Sequence, residues 1–87
     1  MSIARIDRPN QLFHDLVSEG LLPSGEPERV NGTTVGIRMP AVYCECRWQI
    51  VTHWFWDPAK RRPLCVGCAR RTAGALPLQE GGELWLT

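Results

Sequence analysis

Leu12, Phe13, Leu16 and Val17 recur at i, i+1, i+4 and i+5, which puts them on one face of a 3.6-residue helix. They predict a short amphipathic helix over about 9–19. Asp7 or Asn10 is suited to cap its start, and Pro9 suits a first turn. Gly20 is placed to end it in the left-handed conformation, with Leu21 closing a hydrophobic contact and Pro23 blocking continuation. Such a helix either packs its apolar face on the rest of the chain or offers that face to a partner.

Residues 22–32 are rich in Pro, Gly, Ser and Asn and read as a linker. Within it, Asn31-Gly32 is a tight-turn signal joining a short strand near 28–30 to a second at 33–38. Pro40 interrupts the pattern. From 48 to 56, Trp48, Ile50, Thr52, Trp54 and Trp56 share one face at period two, with Val51 and Phe55 on the other. This predicts a strand that is apolar on both sides. A polar loop bracketed by Pro58 and Pro63 follows, then a helix at about 67–75 and a last strand at 83–86 carrying Trp85. The expected organisation is a helical segment over 1–22, a turn-rich linker with a short hairpin over 23–40, and a module over 41–87.

At 87 residues the chain is near the lower size limit for a self-supporting core, and a small core needs a crosslink. A hydrophobic fraction of 44% with 22% charged residues argues against a disordered chain. The first eight residues carry charges where a signal peptide needs an apolar run, and 48–56 is too short to span a bilayer. The expectation is a cytoplasmic protein with no membrane partner. The net charge is only +1, but residues 41–72 hold Arg47, Lys60, Arg61, Arg62, Arg70 and Arg71 against Glu45 and Asp57. The basic charge therefore falls on the segment that also carries the cysteines.

Those cysteines, Cys44, Cys46, Cys65 and Cys68, form C-x-C, eighteen residues, then C-x-x-C. Side chains at i and i+2 of an extended chain share a face, and those at i and i+3 of a helical turn converge. Both pairs can therefore aim at one ion. Two pairs about 15–20 residues apart suit a closed tetrahedral site for one structural Zn²⁺, and a reducing compartment favours metal ligation over disulfides. An iron–sulfur cluster takes the same four thiolates, and disulfides or dithiol redox chemistry are the remaining readings.

With Cys44 and Cys46 on a knuckle, 47–64 as a hairpin, and Cys65 and Cys68 at a helix start, residues 42–76 resemble a treble-clef zinc finger. The resemblance implies a small α+β metal-stabilised domain, here with an added N-terminal amphipathic helix. That superfamily hosts nucleic-acid binders, protein adaptors, ribosomal proteins and nucleases, so it constrains fold more than function. A nuclease would need a second His and an Asn or Asp beside His53, which the helix after Cys68 does not offer.

Four thiolates leave no open coordination position, and no catalytic triad, paired-carboxylate or phosphate-loop motif is present. The expectation is a non-enzymatic module with no small-molecule substrate, docking on a protein or nucleoprotein machine. The alternative is a nucleic-acid-binding finger, in which Trp54 and Trp56 stack on bases and Arg47, Lys60, Arg61, Arg62, Arg70 and Arg71 contact DNA or RNA phosphates. A pI near 7.7 is low for a small nucleic-acid binder and favours the first.

Overall fold

The computed structural model describes residues 4–81. The expected strand at 83–86 with Trp85 lies outside the described residues. Within them the chain forms two three-stranded antiparallel sheets and two helices.

The first sheet contains β1 (Ala4–Asp7), β2 (Glu26–Val30) and β3 (Thr33–Met39), with β3 in the centre. β2 and β3 are joined at Val30 and Thr33 by Asn31-Gly32, both at positive φ, the two-residue turn whose twist matches that of paired strands. The stretch 23–40 thus carries a full hairpin. β1 alternates Ala4 and Ile6 inward with Arg5 and Asp7 outward. Arg5 binds Asp7 at 2.8 Å and reaches Glu28 of β2 at 3.5 Å across the sheet face.

Between β1 and β2 runs α1 (Gln11–Ser18). Asn10, not Asp7, caps it: the Asn10 Oδ1 accepts from the Phe13 amide at 3.1 Å. At its other end the Leu21 amide donates to Leu16 O and the Gly20 amide to Val17 O, the paired bonds of a Schellman turn with Gly20 left-handed. Phe13 and Leu16 are buried in the same cluster as Ile6, Met39 and Trp54. The apolar face of α1 is used inside the molecule, which removes the reading of it as an exposed partner-binding helix.

The second sheet has β4 (Phe55–Asp57) between β5 (Arg62–Leu64) and β6 (Leu76–Pro77). The Asp57 carboxylate, itself buried, accepts from the amides of Ala59 and Lys60, and the Arg61 amide donates to Asp57 O at 2.7 Å. These bonds close the β4–β5 turn without help from the tip side chains. Asn10 ties the two halves together. Its amide donates to Leu78 O at 3.1 Å and its Nδ2 to Pro77 O at 2.8 Å, while the Glu80 amide donates to Arg8 O.

Two sequence expectations are corrected here. The strand predicted over 48–56 is not continuous: residues 48–50 pair with 42–44 in a small hairpin, and sheet pairing resumes only at Phe55. His53 takes a positive φ, and the Trp54 backbone is engaged by Gln79 Oε1 and the Leu78 amide. The simple alternation fails with it: Trp54, Phe55 and Trp56 are all buried, because β4 is the central strand of its sheet and is covered on both faces. The helix predicted over 67–75 is the single turn α2 (Val66–Ala69). Beyond it the Thr72 hydroxyl donates to Cys68 O at 2.8 Å, turns follow, and Gly74 is left-handed.

Candidate metal centre

The first cysteine pair sits at the end of a small hairpin. The Ile50 amide donates to Val42 O, Tyr43 bridges Gln49, and the Cys44 amide donates to Trp48 O at 2.9 Å. The tip is closed by the Arg47 amide on Cys44 O at 2.9 Å, with Arg47 at φ 73°. Cys44 and Cys46 therefore converge through a turn. The extended i, i+2 arrangement expected from the spacing is not the one present. Arg62 of β5 pairs with Glu45 between the two cysteines and fastens the tip to the second sheet.

The second pair lies at α2. Cys65 is the residue before its first turn, in extended conformation, and the Ala69 amide donates to Cys65 O. Cys68 is inside the turn and buried, as are Leu64 before the turn and Ala69 at its end. All four cysteines are free, and their sulfur atoms all lie within 4.8 Å of one another, with Cys46 and Cys65 3.6 Å apart. A tetrahedral ion bound at about 2.3 Å by four sulfurs sets them about 3.8 Å apart. The donor set therefore fits a single metal ion.

The local electrostatics divide the ligands. Burial pushes the Cys44 thiol up, but the amides of Cys46 and Cys65 and the neighbouring thiols outweigh it and bring it down to about 7. Burial raises Cys65, with the Cys68 amide opposing. Cys68 is pushed up to about 12, first by burial and then by the other three thiols crowding it. A cation at the centre reverses that last cause, since close thiols repel as anions only until a shared positive charge sits among them. Arg71 Nη2 lies 3.8 Å from the Cys68 sulfur and adds a donor from outside.

The other sequence-predicted contact residues are not gathered in one place. Trp54 and Trp56 are 0% and 4% exposed and belong to the core, so their rings are closed to stacking. Lys60 and Arg61 are exposed at the β4–β5 turn, Arg70 and Arg71 are exposed just past α2, and Arg47 is exposed on the knuckle. Arg62 is half-buried against Glu45. Among the described residues the tryptophan offered to solvent is Trp48, at 73% exposure, with Tyr43 and Val51 nearby in sequence also exposed. The signal for it was its place: it immediately follows the C-x-C turn, in the knuckle hairpin rather than in β4.

No protein-family model, curated protein or solved structure matches the chain.

Proposed function

We propose that the chain is a small zinc-stabilised, non-enzymatic module that docks on a larger protein or nucleoprotein assembly. The observation that carries this is the four-sulfur cluster, assembled from two distant segments around a volume suited to one ion. Zinc is favoured over a polynuclear iron–sulfur centre because the latter surrounds several core atoms and spreads its thiolates more widely. The order of knuckle, β4–β5 hairpin and α2 supports a treble-clef arrangement. Four thiolates close the coordination sphere, so the ion organises the fold and activates no water. Its thiols call for a reducing compartment.

Docking on protein is preferred to nucleic-acid binding on two grounds. Burial of Trp54 and Trp56 removes two of the proposed stacking platforms. The basic side chains are dispersed over a hairpin tip, a knuckle and a helix end, and Arg62 is engaged by Glu45. Electrophoretic assays with single- and double-stranded DNA and RNA at about 50 mM salt test the choice, since phosphate binding is strongest at low ionic strength. This reading expects no shift at micromolar protein. A shift abolished by changing Arg61, Arg62, Arg70 and Arg71 to Ala would replace it with the nucleic-acid reading.

A further inference from the structure

The four sulfurs of the cluster are not equally reachable from solvent. Cys44 and Cys68 are 4% and 8% exposed and belong to the core, and Arg71 Nη2 lies 3.8 Å from the Cys68 sulfur. Cys46 stands exposed on the knuckle tip, and Cys65 is half-buried. Cys65 also lines an open groove of about 290 Å³ between residues 48–52 of the knuckle arm and 65–67 at the start of α2. A small solute therefore has a path to Cys46 and to Cys65, while the other two sulfurs are screened by protein. Access of this kind decides which cysteines of a cluster are oxidised first.

The two reachable sulfurs are also in contact with each other. They lie 3.6 Å apart, roughly 1.5 Å more than the length of a disulfide bond. Cys46–Cys65 is the one pairing of the four that uses neither buried cysteine. Neither residue is inside a helix or a strand. Cys46 is in the knuckle turn, and Cys65 precedes the first turn of α2 in extended conformation. Closing the gap therefore asks for movement at a turn and at a helix start.

We propose that the cluster is a peroxide-responsive switch, in which oxidation joins Cys46 to Cys65 and releases the metal ion. The proposal rests on the zinc reading above and adds a regulation of that site. The Cys46 thiolate attacks hydrogen peroxide: an S–O bond forms, the O–O bond breaks, and hydroxide leaves, giving a sulfenic acid. The Cys65 thiolate then attacks the Cys46 sulfur. The S–S bond forms, the S–O bond breaks, and a second hydroxide leaves. Two electrons pass from the two thiolates to the peroxide, and buffer protons turn both hydroxides into water. Zinc changes no oxidation state, but it is left with Cys44 and Cys68 alone, half the ligands of a closed site, and is released. The new bond ties the knuckle to α2 where the ion had tied them. In a reducing compartment it is transient, because the thiol pool returns it to the dithiol.

The test adds stoichiometric hydrogen peroxide to the zinc-loaded full chain, whose zinc content is first measured by native mass spectrometry. A chromophoric chelator too weak to strip the reduced chain reads the ion released. Remaining thiols are blocked with N-ethylmaleimide and the chain is digested with trypsin. Cleavage after Arg38, Arg47, Arg61 and Arg70 leaves the first cysteine pair in peptide 39–47 and the second in peptide 62–70. A bond between the pairs links these peptides, a bond within a pair does not, and fragmentation identifies the sulfurs. The expected result is one zinc ion released per disulfide, a Cys46–Cys65 link, and Cys44 and Cys68 recovered in blocked form. Dithiothreitol and added zinc should restore the loaded chain. Retention of the ion at a large excess of peroxide overturns the switch and leaves the zinc module standing. Release with sulfinic or sulfonic acids and no disulfide, or with a bond to Cys44 or Cys68, does the same. A chain holding no zinc before peroxide is added overturns the zinc reading and the switch with it.

Discussion

The sulfur of Cys46, on the exposed tip of the knuckle, lies 3.6 Å from the sulfur of Cys65, nineteen positions further along the chain. The separation is far beyond the roughly 2.05 Å of a disulfide and close to that of two ligands sharing one ion. Each pair is positioned by its own backbone bonds, the knuckle by Arg47 on Cys44 and the helical turn by Ala69 on Cys65. Besides the Arg62–Glu45 ion pair, what would join the two pairs is a shared ion. Cys46→Ser or Cys65→Ser should therefore lower zinc affinity by at least about 100-fold, a modest share of the about 10–16 kcal/mol of a structural site. Competition with a chromophoric chelator measures it.

Metal retention should depend on pH in two regimes. Zinc binds thiolates, so each thiol still protonated in the metal-free chain must release a proton. Cys68, held up to about 12, releases one throughout the working range. Cys44, brought down to about 7, is largely a thiolate at pH 8 and releases little there, but is largely protonated at pH 6. Affinity should thus rise with pH, and more steeply below pH 7 than above it. Calorimetric titrations in buffers of different ionisation enthalpy check this. More protons should be released per ion at pH 6 than at pH 8.

Asn10 makes two separable contributions, capping α1 through its Oδ1 and holding Pro77 through its Nδ2. Asn10→Ala should cost about 2 kcal/mol, combining a cap of about 1 kcal/mol with a hydrogen bond of similar size. Asn10→Ser can keep the cap and loses the second bond, so it should cost about half as much. Urea unfolding of the zinc-loaded chain distinguishes the two.

The tryptophans should separate by burial. Trp54→Ala removes a fully buried ring and should cost about 3–5 kcal/mol, whereas Trp48→Ala removes an exposed one and should stay within about 0.5 kcal/mol. Thermal unfolding followed by far-ultraviolet circular dichroism reads both.

Gly25 is packed so closely on β3 that an added Cβ would stand 2.6 Å from the Arg38 carbonyl oxygen and would also meet Ile37 Cγ2. Gly25→Ala should destabilise by about 1–3 kcal/mol, since the backbone contact cannot yield as a flexible side chain would. The same denaturant series checks it.

Where local chemistry decides conformation, the sequence was readable. Asn31-Gly32 specified its turn and Gly20 its helix end, because each needs a backbone conformation that few other residues adopt cheaply. The spacing of the cysteines pointed to their convergence, although the C-x-C pair converges through a turn that spacing alone does not describe. Pairing partners were hidden. The apolar run at 48–56 matches a strand by period, yet its start pairs with 42–44 in the knuckle hairpin, its end joins β4, and the left-handed His53 breaks the two apart. β1 and β6 were missed for a related reason: four and two residues are too short for periodicity, and both are strands by virtue of distant partners. Exposure of Trp48 against burial of Trp54 and Trp56 likewise depends on which strand ends up central.

Native mass spectrometry of the purified chain, paired with circular dichroism before and after chelation, tests the central claim most directly. The account predicts one zinc ion per chain and loss of the folded spectrum when a strong chelator removes it, with recovery on adding zinc back. A chain that is metal-free yet fully folded, or one that carries iron and its visible absorption, would contradict it.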